Sequence, residues 1–146
     1  MISLRNTLEV RRPVAAVYDF AVNLENVPKW QPAVIQNKRI TDGPIRVGTQ
    51  FREVAKLMGK RVEGVCEITQ LEPGKTLAFR GTPDGPFSYE STYRFESLGE
   101  STRIEVVGEF RFKGLWRLLE PLAGVMLKME SGKELAAMKA AIEASR

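Results

Sequence analysis

The chain has 146 residues, 43% of them hydrophobic and 27% charged, which predicts one globular domain over residues 1–146. Its net charge of +4 is too small, and its acidic residues are too evenly interleaved, to predict a nucleic-acid partner. The absence of histidine excludes Ser-His-Asp and Cys-His nucleophile activation and the common histidine-based zinc sites. The single cysteine excludes an internal disulfide, and we predict neither a metal nor a cofactor.

The sequence contains few signals for the cellular compartment and the oligomeric state. The first ten residues alternate polar and apolar side chains instead of forming a signal-peptide block, and no apolar run reaches the roughly 18 residues that a transmembrane helix needs. We therefore expect a cytoplasmic protein without integral membrane association. Whether the protein is a monomer or a homodimer cannot be predicted from the sequence.

The N-terminal third predicts a strand followed by two short helices. Apolar and polar side chains alternate over residues 2–10, which predicts a half-buried strand. Asn6 is the one polar residue on the apolar face. Pro13 suits the first turn of a helix, because its φ is fixed near the helical value. A second helical piece covers 24–27 and ends before Pro28.

The middle of the chain predicts a meander of antiparallel strands joined by turns rich in Gly and Pro. The predicted strands cover 33–40, 49–57, 61–71, 76–81, 87–97 and 101–112. In the last two strands, apolar and polar side chains alternate with few exceptions, so one face of the sheet is expected to be exposed to solvent and the other covered.

The segment from Gly114 to the end predicts the helix that covers the sheet. Apolar residues recur at spacings of three and four, and the pattern continues through the tail as one stripe. The stripe consists of Leu115, Leu118, Leu119, Leu122, Val125, Met126, Met129, Leu135, Met138 and Ile142. Pro121 lacks a backbone N–H and predicts a kink or a restart. About 25 helical residues would span roughly 37 Å and must lie along the sheet.

The predicted inward face of the sheet is unusually aromatic. One helix laid across a long bent sheet leaves a gap that either large side chains or a ligand must fill. The sequence leaves both a dry aromatic core and a ligand pocket open.

Four segments together resemble the START-like superfamily, and most closely its polyketide cyclase/dehydrase and lipid-transport branch. They are RPVAAVYDF at 12–20, VPKW at 27–30, RVGTQF at 46–51 and EPGKTLAF at 72–79. The resemblance covers the whole chain and implies an α+β helix-grip fold. In that fold a curved seven-stranded antiparallel sheet with two short helices wraps a long C-terminal helix, in the order β-α-α-β6-α. It also implies a small hydrophobic ligand, such as a lipid, isoprenoid or polyketide, held between the sheet and that helix.

The candidate site residues are the sheet side chains that are expected to face the helix, together with the helix side chains that are expected to face the sheet. The predicted ligand-binding set is Trp30, Phe51, Phe79, Phe87, Tyr89, Tyr93, Phe110, Leu119, Leu122 and Met126. The hydroxyls of Tyr89, Ser91 and Tyr93 lie along one inward stripe and could orient a ligand, or could bond backbone inside a packed core.

Glu53 is a candidate catalytic residue, because it shares the register of Phe51 and would be a general acid or base if it lies in an apolar cavity. A position at the rim of the sheet, or paired with an arginine, is the alternative. Cys66 is expected to be an inert buried thiol. Three functions remain open at this stage: a carrier or sensor of a hydrophobic molecule, a cyclase or dehydratase using Glu53 or a tyrosine, and a protein-interaction module.

Overall fold

A computed structural model describes residues 2–57, 59–83 and 87–145, apart from the side chains of Leu57, Lys60, Thr82, Pro83, Phe87, Trp116, Leu127 and Glu130. The strands are β1 (Ile2–Val10), β2 (Val34–Arg39), β3 (Gln50–Leu57), β4 (Lys60–Glu72), β5 (Thr76–Pro83), β6 (Phe87–Ser97) and β7 (Thr102–Phe112). The α-helices are α1 (Val14–Val22) and α2 (Glu120–Ala144), and 3₁₀ helices cover Leu24–Lys29 and Gly114–Leu119.

The seven strands form one antiparallel sheet in the order β1-β7-β6-β5-β4-β3-β2. Register shifts between Val34 and Gln36, and between Ile68 and Gln70, mark the irregularities that help such a sheet to bend. The curved sheet and its C-terminal helix confirm the predicted helix-grip architecture.

The outer face of the sheet carries charged pairs between neighbouring strands, as the alternation predicts. Arg94 on β6 is 2.9 Å from Glu105 on β7, and Arg80 on β5 is 3.1 Å from Glu67 on β4. These pairs are largely exposed, so they stabilise the fold little and mainly keep this face in water.

The largest buried apolar cluster lies on the inner face, towards one end of the sheet. There α1, the first 3₁₀ helix and the C-terminal half of α2 meet the sheet through buried apolar side chains. The largest fully buried members are Trp30, Tyr93, Phe51, Leu24, Ile68, Leu77, Ile104, Met138 and Ile142. Burying a large aliphatic or aromatic side chain contributes about 1.5–3 kcal/mol, so this end of the molecule is the main source of stability.

The C-terminal end of α2 is tied to the segment that follows β1. Arg12 donates hydrogen bonds to the Ser145 hydroxyl (2.7 Å), to the Ser145 carbonyl and to the Ile142 carbonyl (3.3 Å). The backbone N–H of Arg11 donates to Glu143 at 2.8 Å, and this contact lowers the pKa of that carboxyl. A cation at a helix C-terminus complements the last free carbonyls and the negative end of the helix dipole.

The N-terminal half of α2 differs from the prediction of one continuous buried stripe. Leu119, Leu122 and Met126 are between 37% and 63% exposed, so the expectation that they pack against the sheet is wrong. Met129 and Met138 are nine residues apart, which at about 100° per residue places them on opposite sides of the helix. The residues that face inward near the start of α2 are instead Ala123, which is buried, and Gly124, which lies against Ile2. The α-helix begins at Glu120, beside Pro121, so this proline marks a restart.

Candidate functional site

A small hollow lies between the sheet and the C-terminal half of α2. Its volume is about 60 Å³. The sheet contributes Leu4, Asn6, Ser91, Tyr93, Val106, Gly108 and Phe110, α2 contributes Ser131, Glu134, Leu135 and Met138, and Trp30 and Gln31 complete the lining. A ligand pocket for a drug-sized molecule usually measures about 300–1,000 Å³, so the hollow is too small to hold such a molecule without widening.

Tyr93 is the most deeply buried polar residue that lines the hollow. Burial raises the pKa of its phenol well above the ordinary value, so the hydroxyl stays protonated and can donate a hydrogen bond. The indole N–H of Trp30 lies beside this hydroxyl and acts to lower that pKa, although the two groups do not form a hydrogen bond of normal geometry. Ser91 lies two residues earlier on the same strand and is also buried, so two hydroxyls line one wall.

A second polar cluster lies nearer the other end of the sheet, around Glu53. Glu53 is only 8% exposed, and the hydroxyl of Tyr89 donates a hydrogen bond to its Oε2. Tyr89 also interacts with the thiol of Cys66, which is buried on β4. Of the two alternatives for Glu53, the structure therefore has the inward one, and the partner of this carboxyl group is a tyrosine instead of an arginine.

Cross-strand register explains how Tyr89 reaches Glu53 from three strands away. Cys66 pairs with Phe51 on one side and with Gly81 on the other, and Gly81 pairs with Tyr89. The Tyr89 ring lies directly over Gly81, where a Cβ atom would sit 2.5 Å from Cζ and 2.6 Å from the hydroxyl oxygen. Only glycine at position 81 leaves room for this ring.

Burial controls the protonation of the cluster. It raises the pKa of Glu53, and the hydrogen bond from Tyr89 partly opposes that effect. Burial and the neighbouring thiol and carboxyl groups raise the pKa of Tyr89, and burial likewise raises the pKa of Cys66. The neutral phenol of Tyr89 is thus held against the Glu53 carboxyl group, which gives up its proton less readily than usual. The Cys66 thiol is a poor nucleophile, because its raised pKa disfavours the reactive thiolate.

Phe110 stands between the two clusters. It lines the hollow, and its ring centroid is 6.3 Å from that of Tyr89. Its ring lies over Gly108, where a Cβ atom would be 3.3 Å from Cε2. The space that Gly108 leaves on the inner face is therefore filled by Phe110.

The predicted site residues divide into three groups. Trp30, Tyr93 and Phe110 line the hollow, and Phe79 and Tyr89 lie beside it, with Phe79 in edge contact with both Tyr89 and Tyr93. Phe51 is buried in the core. The side chain of Phe87 lies outside the described residues, and Leu119, Leu122 and Met126 are on the exposed surface.

The sequence reading missed several polar lining residues, among them Gln31, Ser131 and Glu134. Asn6 could have been found, because it is a polar residue on the apolar face of the first strand. The role of Gly81 could not, because it depends on the register of three strands. Among the described residues, no three His, Cys, Asp or Glu side chains converge as metal ligands do.

The comparisons with known proteins first define the class of fold. TTHA0849 from Thermus thermophilus superposes with a TM-score of 0.78 at 23% identity, covering 97% of each chain. The Zhui aromatase/cyclase from Streptomyces sp. R1128 superposes with a TM-score of 0.78 at 13% identity, covering 97% of this chain and 93% of the other. A START superfamily protein from Mycobacterium smegmatis gives 0.72 at 19% identity, with coverage of 97% and 94%.

The sequence then defines the family. Residues 1–143 match the model of the polyketide cyclase/dehydrase and lipid transport family, and the chain belongs to that family. None of the curated protein sequences is a significant match to the chain. In the part of the chain that the structure describes, no helix is both long enough and apolar enough to cross a membrane.

Proposed function

We propose that the protein binds a small, largely hydrophobic molecule that carries a hydroxyl or carbonyl group, between the sheet and α2. The observation that supports this most strongly is the hollow itself. It is lined by Ser91 and Tyr93, which carry hydroxyl groups, and by the large side chains of Trp30, Phe110 and Met138. Apolar walls with a few fixed polar groups are the usual composition of small-molecule sites.

Binding requires the hollow to widen. Its 60 Å³ is about one fifth of the roughly 300 Å³ at the lower end of the range for drug-sized ligand pockets. Two movements would widen it. Phe110, which lines the hollow, would swing off Gly108. The N-terminal half of α2, which precedes the lining part of the helix, would shift, because it meets β1 through the small residues Ala123 and Gly124 while the other end of the helix is hydrogen-bonded to Arg12.

Thermal unfolding with a panel of fatty acids, isoprenoid quinones and aromatic polyketides tests the proposal. A ligand present at 100 times its Kd adds about 2.7 kcal/mol of stability, which raises the Tm of a domain of this size by roughly 5–10 °C. The absence of any shift across the panel, together with no ligand retained in native mass spectrometry, would contradict it.

A matched pair of tyrosine variants locates the binding site. Tyr93→Phe removes the hydroxyl from the hollow and should weaken binding about tenfold, since a lost buried hydrogen bond costs about 1–3 kcal/mol. Tyr18→Phe removes another buried hydroxyl, which finds no hydrogen-bond partner among the described residues and does not line the hollow. It should leave the Kd unchanged. Equal effects of the two substitutions would place the ligand elsewhere.

A second candidate function, proton-transfer catalysis in ring closure, is favoured by the pair of Glu53 and Tyr89. The Glu53 carboxylate would remove a proton from a methylene carbon beside a carbonyl group. The resulting carbanion would form a carbon–carbon bond to a second carbonyl carbon, and the oxygen of that carbonyl group would then take up the proton that Glu53 removed. Once Glu53 has taken that proton, Tyr89, held neutral by burial, would turn its O–H from the Glu53 carboxyl group to this oxygen as its charge develops.

Substitution of the two candidate groups separates catalysis from binding. With a linear poly-β-ketone thioester as substrate, Glu53→Gln should slow cyclisation by about 10²–10⁴-fold while binding survives. Glu67→Gln is the matched control, because Glu67 lies on the neighbouring strand and pairs with Arg80 at 3.1 Å. Unchanged turnover in Glu53→Gln would remove this residue from the reaction.

A further inference from the structure

The second 3₁₀ helix and the first half of α2 expose a continuous series of large apolar side chains. We name as the leucine face Leu115, Leu118, Leu122, Val125, Met126 and Met129. Leu115 and Leu118 are 85% and 80% exposed, more than any other large apolar residue among those described. Residues 118, 122, 125 and 129 follow a spacing of three and four, so they share one side of the segment. A contiguous patch of this kind usually marks an interaction surface.

Basic residues outnumber acidic ones in the segment that carries the leucine face. Residues 113–133 contain four basic residues, Lys113, Arg117, Lys128 and Lys133, and two acidic ones. All four basic residues are exposed. The two central cations, Arg117 and Lys128, also line an open groove of about 490 Å³ beside the face, where they outnumber the single acidic lining residue, Glu120. An exposed apolar strip with a cationic border is complementary to a surface that offers hydrocarbon below a layer of negative charge.

We propose that the leucine face is a docking surface for the interface of an anionic lipid bilayer. The leucines and methionines enter the boundary between headgroups and acyl chains, while Arg117 and Lys128 pair with lipid phosphates. The segment lies along the membrane surface and does not cross it. A second copy of the chain fits less well, because two such faces would bring their basic borders together.

The docking surface is distinct from the proposed ligand site. The hollow lies on the side of α2 that carries Met138, whereas the leucine face includes Met129 on the opposite side. Substitutions in the leucine face should therefore change vesicle binding and leave the Kd of a soluble hydrophobic ligand unchanged. Failure of either proposal leaves the other standing.

Vesicle co-sedimentation of the full chain provides the test. We expect binding to vesicles of phosphatidylcholine mixed with phosphatidylglycerol, little binding to phosphatidylcholine alone, and a marked loss in high salt. Arg117→Ala and Lys128→Ala should each weaken binding roughly fivefold, equivalent to about 1 kcal/mol per basic residue near the surface.

An apolar pair and a matched control complete the test. The double variant Leu118→Asp with Leu122→Asp should abolish sedimentation with vesicles, and its circular dichroism should stay unchanged, because both side chains are exposed. Ile40→Asp alters a large apolar residue that is 51% exposed outside the leucine face, and it should bind vesicles like the unaltered chain. Equal binding to neutral and anionic vesicles, undiminished binding of the double variant, or a dimer that this variant dissociates would overturn the proposal.

Discussion

Replacing Gly81 by alanine probes the contact that holds Tyr89 against Glu53. Ordinary contact with a Cβ atom begins at about 3.4 Å, and the added carbon would lie 2.5 Å from Tyr89 Cζ and closer still to Cε1, so the ring must retreat by at least about 0.9 Å. Overpacking of this kind costs about 1–3 kcal/mol, and loss of the buried hydrogen bond to Glu53 costs about 1–3 kcal/mol more. Alanine recovers about 0.5–1 kcal/mol of conformational entropy. The net loss should be about 3 kcal/mol, which lowers the Tm by roughly 6–12 °C.

A double-mutant cycle separates this contact from a general effect of alanine in β5. When Tyr89→Ala has removed the ring, Gly81→Ala should be neutral or should stabilise the protein by up to about 1 kcal/mol. Urea denaturation of the four proteins gives the coupling free energy. An equal loss of stability in both backgrounds would refute the reasoning, because it would show that the cost does not pass through the Tyr89 ring.

Three further predictions concern charge. Because burial raises the pKa of Glu53 in the folded protein, the folded state keeps this proton at pH values where the unfolded chain has lost it. Stability should therefore fall by about 1.4 kcal/mol per pH unit from near pH 4.5 until the folded-state pKa is passed, and Glu53→Gln, followed by urea denaturation across pH, should remove this slope. Arg12→Ala should cost about 1–2 kcal/mol and speed amide hydrogen exchange in the last turn of α2; protection equal to that of the unaltered chain would show that this anchor is not needed. Arg94→Ala, which breaks an exposed pair with Glu105, should change the free energy of unfolding by less than about 1 kcal/mol, and a larger loss would mean that the pair is coupled to other charges.

The sheet could be predicted from the sequence because its signals are local. Period-two alternation places each strand, and turn residues such as Gly74, which has a φ of 71°, fix where strands end. The predicted strands agree with β1 to β7 to within about two residues at each end. Pro121 likewise marks the start of α2 through a purely local property, its missing N–H.

The site could be predicted only in part, because its geometry depends on contacts between distant segments. The inward direction of Glu53 follows from strand alternation, but its bond to Tyr89 depends on Gly81 in the strand between β4 and β6. The prediction that Leu119, Leu122 and Met126 pack against the sheet was wrong for the same reason, because it depended on contacts between distant segments. The spacing of apolar residues shows that a helix has an apolar face, but it does not show whether another part of the chain covers that face.

Methyl NMR of the protein labelled at its five methionines tests most directly whether a ligand occupies the space between the sheet and α2. Met138 is buried and lines the hollow, whereas Met129 is exposed on the opposite side of the same helix. On titration with a hydrophobic ligand found in the thermal screen, the Met138 methyl signal should shift and saturate, and the Met129 signal should stay in place. A ligand that binds at saturation while Met138 remains unshifted would contradict the proposed site.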